Sequence, residues 1–173
     1  MKPKKKTDAD SISKVALLDA LKEAHEQIQH MENLIAEYNW LEGALRKRTR
    51  ELNERVKEID CLYVISSRLV NPNDSIQQIL TDIVNIMPSG WQYPEATCVR
   101  LVLSGCEYRT SNFCKMKLKQ SAFIRSGSER IGVLEVYLLP SPLHDKNQPF
   151  LPQEKKLLDV IAMWISVIIA YRK

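Results

Sequence analysis

From residue 17 to residue 66 the chain has no proline and a single glycine, Gly43, and its apolar residues recur in sevens. One series is Leu17, Ala24, Met31, Tyr38, Leu45, Leu52, Ile59 and Ser66; its companion is Leu21, Ile28, Ile35, Glu42, Thr49, Val56 and Tyr63. Two such series make the seam of a coiled coil, held here over about seven heptads. The remaining positions are mostly Lys, Arg, Glu, Gln and Asn, the polar outer face that such a helix needs. A narrow apolar stripe stabilises an isolated helix little and needs a partner to cover it. The rest of the chain has too few helices to do so, and a second copy is the simplest partner. The expected dimer seam is Leu17, Leu21, Ile28, Met31, Ile35, Tyr38, Leu45, Leu52, Val56 and Ile59. A parallel pairing would set two globular domains side by side.

The seam is weakest in its middle. Glu42 and Thr49 occupy companion positions, Leu41 sits one place off, and Gly43 costs about 1 kcal/mol relative to alanine. Two readings are open: a continuous helix with a locally shifted seam, or a bend near residues 39–43 that folds the helix into a hairpin. The continuous helix is favoured, because the glycine is the sole turn signal. Arg46, Lys47, Arg48 and Arg50 then read as a solvated face.

The formal charge is +4, and Lys2, Lys4, Lys5 and Lys6 supply much of the excess. Residues 1–13 are expected to form a disordered basic tail, since a block of like charge cannot bury enough surface to order itself. No aromatic residues interleave with these lysines, so nucleic acid is not the expected partner. There is no secretory signal. The most apolar stretch, residues 160–171, is too short for a membrane span, which needs about 20 residues. The expected location is cytoplasmic. Four cysteines without a CxxC pair do not form a disulfide framework.

After the helical segment, residues 14–66, the pattern changes. Pro72 ends the first helix, and Asn73 or Asp74 can cap a second one carrying Ile76, Ile79, Leu80, Ile83, Val84 and Met87. Pro88-Ser89-Gly90 closes it. Residues 96–103 and 106–111 flank Ser104-Gly105 as a hairpin. Residues 117–125 and 130–139 read as two more strands around Ser126-Gly127-Ser128. Pro152 starts a last helix whose apolar face holds Leu157, Leu158, Ile161, Ile165, Ile168 and Ile169. The fold class is α+β: a long coiled-coil helix, then an antiparallel sheet with helices on one face.

Ile131-Gly132-Val133-Leu134-Glu135-Val136, with Pro149-Phe150-Leu151-Pro152-Gln153-Glu154 and the closing apolar helix, resembles the end of a GAF domain. Residues 58–66, Glu-Ile-Asp-Cys-Leu-Tyr-Val-Ile-Ser, resemble the helix that enters such domains in sensor histidine kinases and related regulators. Trp91-Gln92-Tyr93-Pro94-Glu95 is similar to a segment of a short GAF-like subgroup. The resemblance covers residues 58–173, which share the end of the long helix. It implies a sheet of five or six antiparallel strands, a helix-covered face that often forms a dimer bundle, and an opposite face able to hold a small molecule. Between Ser104-Gly105 and Arg125 there is little room for the helices that usually roof that site.

Alternation places Val99, Leu101 and Leu103 on one face of their strand and Cys98, Arg100 and Val102 on the other. Leu134, Val136 and Leu138 should share the helix-covered face, leaving Glu135 and Tyr137 on the open one. Arg100 and Glu135 should therefore meet across strands, as an ion pair or as the anchor of a polar ligand. The candidate ligand-binding residues are Trp91, Tyr93, Cys98, Arg100, Glu135 and Tyr137, with Phe113 as a further wall. The hairpin could bring Cys98 near Cys114 or Cys106; Cys61 lies far upstream. No zinc spacing is present. His25 and His30, five apart, do not share a helical face, and His144 lies in a loop. With five glycines and no GxSxG, HExxH, P-loop or GxGxxG, neither catalysis nor a cofactor or metal is expected. Lys115, Lys117, Lys119 and Arg125 read as decoration of an exposed edge. Three functions stay open. The first is a dimeric signalling module, with or without a small-molecule ligand, that acts through a protein partner carrying the output. The second is a dimerisation scaffold with no ligand. The third is a cysteine-based redox or metal sensor.

Overall fold

The computed structural model describes residues 5–71, 73–141 and 149–171. The elements run α1 (Lys5–Leu69), α2 (Ile76–Ile86), two 3-10 turns (Met87–Gly90 and Pro94–Ala96), β1 (Thr97–Leu103), β2 (Cys106–Arg109), β3 (Lys119–Ser126), β4 (Glu129–Leu138) and α3 (Pro152–Tyr171). The chain divides into two compact units, Met1–Arg50 and Glu51–Lys173.

In the first unit every described residue belongs to α1. The helix passes through residues 39–43 without a break, so the hairpin reading is excluded. Gly43 is tolerated because one poor helix former costs less than ending the hydrogen-bonded ladder around it. The helix also starts earlier than expected. Residues 5–13, read as part of a disordered tail, carry helical backbone; residues 1–4 lie outside the described residues. No proline interrupts residues 4–71, so nothing stops the helix propagating in that direction.

The second unit is the α+β part. Ser75 caps α2 by accepting from the Gln78 N–H at 3.2 Å, one position after Asp74 and two after Asn73, the expected caps. Ile79, Leu80, Ile83 and Val84 are the buried stripe of α2. Among the described residues there are four strands, antiparallel in the order β2-β1-β4-β3. The resemblance implied five or six. The segment between β2 and β3 supplies none of the missing ones, because it leaves the sheet plane and crosses over one face. Ser104 and Gly105 both have positive φ, the two-residue turn whose twist matches a hairpin.

Helices cover one face of the sheet, α2 against β1 and β2, α3 against β3 and β4. Val99, Leu101, Ala122, Ile124, Leu134 and Val136 of the strands meet Ile79, Leu80, Ile83, Leu158, Ile161 and Ile165 of the helices in one core. Cys61 and Ile65 of α1 join that core. Gly90 sits where a Cβ would come within 2.9 Å of both Cys61 Cβ and Leu157 Cδ2, so only glycine lets the chain pass between α1 and α3. Among the described residues no helix is long and apolar enough to cross a membrane.

Candidate functional site

The open face of the sheet carries the polar chemistry. β1 and β4 pair so that Arg100 stands directly opposite Glu135, and Cys98 opposite Tyr137. The alternation that buries Val99, Leu101, Leu134 and Val136 under the helices turns these four side chains the other way. Arg100 Nη1 donates to Glu135 Oε2 at 3.1 Å, and Arg100 Nε to Glu107 Oε1 at 2.9 Å. Lys119 Nζ donates to Glu135 Oε1 at 2.7 Å, and the Tyr137 hydroxyl donates to Glu135 Oε2 at 2.8 Å. Glu135 is 6% exposed, and a carboxylate this buried needs such donors. Burial works to raise its pKa. The hydrogen bonds from Lys119, Tyr137 and Arg100 together outweigh burial and hold it below the usual carboxylate range. The Glu107 hydrogen bond is the main reason the Arg100 pKa is raised.

Lys119 is exposed on the edge strand β3, as expected. Its ammonium also reaches across to Glu135, and lies 5.8 Å from the centroid of the Tyr137 ring. The signal was register: Lys119 pairs with Tyr137, and Ser121 with Glu135.

One end of this face is covered by residues 110–118, a strap running from β2 to β3. The Val99 N–H donates to Thr110 Oγ1 at 3.2 Å, and Asn112 Nδ2 donates to the Thr97 carbonyl at 3.1 Å. Phe113 meets Tyr137 edge-on with centroids 5.5 Å apart. Tyr137 and Cys98 are consequently inaccessible despite lying on the open face. At the other end Val102, Val133 and Phe123 form a shallow apolar row, and the Arg130 guanidinium stacks 3.6 Å from the Phe123 centroid.

The remaining candidates separate from this group. Trp91 is 1% exposed within the helix-side core, so it does not line the open face. The 3-10 turn before it directs the chain inward, and its large ring is buried in the core that also holds Cys61 and Met87. Tyr93 is half-buried; its carbonyl accepts from Thr97 Oγ1 at 2.8 Å and from the Ala96 N–H at 3.1 Å. Cys61 is buried in the core, and burial pushes its thiol up to about 11. His25 contacts Gln29 on the exposed helix surface, while His144 lies outside the described residues.

A second carboxylate escaped the sequence reading. Glu154, in the first turn of α3, accepts from the Gln92 N–H at 2.6 Å and the Leu151 N–H at 2.7 Å. It is 2% exposed, and burial pushes its pKa up to about 7; the two N–H groups pull it down, and Glu54 and Glu58 add to the rise. The available signal was a carboxylate three residues after the chain enters the helix, as in a capping box.

The third feature is apolar. Leu17, Leu21, Ile28, Met31, Ile35, Tyr38, Leu45, Leu52, Val56 and Ile59 are all exposed, from 49% at Ile28 to 67% at Tyr38. In the second unit Ser66, Leu69 and Val70 of the α1 end and Trp164, Val167, Ile168 and Tyr171 of α3 line an open apolar groove of about 390 Å³. Comparison with protein-family models, curated proteins and solved structures finds no match to this chain.

Proposed function

We propose that this chain is a non-enzymatic regulatory module in which a GAF-like domain is coupled to a parallel, homodimeric coiled coil and passes its state to a protein partner in the cytoplasm. The observation that carries the reading is the exposed seam. Ten large apolar side chains at heptad spacing have no cover within the described chain, and burying each against a second copy is worth about 1.5–3 kcal/mol before ordering costs. Residue choice supports two parallel strands. With spacing of three and four, Ile28, Ile35 and Val56 fall at a positions, while Leu17, Leu45 and Leu52 fall at d positions. The same heptad count continues through Ser66 to Val70, two of the residues that line the apolar groove. A state change in the domain would act by favouring one packing of the paired helices over another.

The saturated Glu135 favours a second reading, a scaffold that keeps the fold without a ligand. Its carboxylate already accepts from Arg100, Lys119 and Tyr137. A polar ligand would have to break contacts rather than fill vacant ones.

Light scattering on the full chain tests the dimer. The expected mass is twice the chain's 20.0 kDa. Ile28→Asp with Ile35→Asp should return it to a single chain mass, because a charge at the seam is desolvated without a partner. A monomeric wild type, or a double variant that stays dimeric, removes the proposal. Native mass spectrometry of freshly purified protein separates the two readings: a retained small molecule supports sensing, and its absence supports the scaffold.

A further inference from the structure

We propose that Cys98 and Cys114 are a reversible disulfide pair, with Cys114 as the peroxide-reactive thiol and Cys98 as the thiol that resolves it. The two residues are brought together by the strap, not by the hairpin. Cys98 lies on β1 and is fully buried, whereas Cys114 lies on the strap and is exposed. Cys98 Sγ lies 3.5 Å from the Cys114 N–H nitrogen and 3.5 Å from the Cys114 carbonyl oxygen. A sulfur seated against the main chain of the other cysteine keeps the two α-carbons within about 7 Å, the outer reach of a disulfide. Asn112, Thr110 and Phe113 hold the strap at that place through Thr97, Val99 and Tyr137. The other two cysteines are set apart. Cys61 is in the core on the helix side, and Cys106 starts β2 next to the hairpin turn.

The chemistry divides between the two thiols by access. A peroxide reaches the exposed Cys114. Its sulfur bonds to one peroxide oxygen, the O–O bond breaks, and the other oxygen leaves as water with the thiol proton, giving a sulfenic acid. Cys98 sulfur then attacks the Cys114 sulfur, the S–O bond breaks, and the hydroxyl leaves as water with the Cys98 proton. Two thiols lose two electrons in all, one hydrogen peroxide gains them, and two waters form. Cys98 is fully buried, which shields its thiol from oxidants in solution, while its sulfur already lies against the Cys114 main chain, where the sulfenic acid forms. The disulfide would pin the strap to β1 over Tyr137. A dithiol reductant would release it.

The test uses the full chain treated with one equivalent of hydrogen peroxide. Free thiols are then alkylated and the unreduced protein is digested for mass spectrometry. The expected product is a peptide joining Cys98 to Cys114, removed by dithiothreitol, absent in Cys114→Ser and retained in Cys61→Ser and Cys106→Ser. Cys114→Ser changes an exposed residue, so its loss of product would not report unfolding. Hydrogen exchange across residues 110–118 should slow on the order of tenfold in the oxidised protein. The proposal is overturned if Cys114 proceeds to sulfinic acid while Cys98 remains open to alkylation, or if the bridge forms with Cys106 instead.

Discussion

One helix presents the same kinds of side chain in two opposite conditions. In the first unit Ile28 and Ile35 of α1 are 49% and 60% exposed; in the second unit Cys61 and Ile65 of α1 are 1% and 0% exposed. Propensity and hydrophobicity do not distinguish them. What differs is the supply of partners. Cys61 and Ile65 meet α2 and α3 within their own chain, whereas the seam residues stay 49% to 67% exposed. The helix thus carries two apolar faces in its last part: Cys61 and Ile65 inward, Ile59 and Tyr63 outward. Stability should therefore depend on protein concentration for one set and not for the other.

The sharpest break in that comparison is a matched pair of truncations. Ile65→Ala should destabilise by about 4 kcal/mol at every protein concentration, because it leaves a cavity in a closed core. Ile28→Ala should act mainly through dimer dissociation, and its effect on thermal unfolding should shrink as concentration rises. Equal concentration dependence in both variants would dissolve the distinction.

Glu154 tests whether the second unit is as closed as its burial suggests. Burial pushes its pKa up to about 7, from an ordinary carboxylate value of 4.5. The folded state therefore binds the proton more tightly than the unfolded chain does. Stability from this group is complete below about pH 4.5 and is lost as pH rises toward 7, by about 3 kcal/mol. Glu154→Gln, neutral throughout, should remove that slope. Urea midpoints of both proteins from pH 4.5 to 8 give the difference directly. Parallel curves would show that the carboxylate is solvated.

Glu135 has the opposite sign. Its pKa is lowered, so its contribution is present above the unfolded carboxylate range and fades as pH falls through the folded value. Glu135→Gln should cost about 2 kcal/mol at pH 7, since Arg100 and Lys119 lose a shared acceptor. Arg100→Ala in the Glu135→Gln background should then add less than it does alone, and additive effects would show that the network does not act as a unit.

These differences follow what a sequence can carry. Turn residues and β-branched runs located all four strands, and parity alone brought Arg100 to Glu135. The seam was readable because heptads repeat. Trp91 was misplaced because an aromatic in a turn gives no period, and only the packing of Gly90 against Cys61 and Leu157 sends it inward. The strap was invisible for a similar reason. Asn112, Phe113 and Cys114 act by crossing the sheet, and no local pattern records a crossing. Lys119 is the edge charge it looked like, but its contact with Glu135 was not legible because β3–β4 register sets it. The resemblance to GAF domains implied one or two strands too many, because the chain between β2 and β3 goes over the face rather than into the sheet.

The smallest expected effect is at the flaw in the seam. A Cβ at Gly43 would meet nothing within 4 Å. Gly43→Ala should stabilise the helix by about 1 kcal/mol, visible as a modest rise in the melting temperature of the helical signal.

The central claim is that a second copy covers the seam in parallel register, and cysteine cross-linking tests it most directly. Ala24 is a seam position and Lys22 a solvent-facing one. Each is replaced by cysteine in a background lacking the exposed Cys106 and Cys114. Under mild oxidation Ala24→Cys should convert almost wholly to a covalent dimer, and Lys22→Cys should not. Equal cross-linking at both positions, or none at Ala24→Cys, would contradict the paired helix.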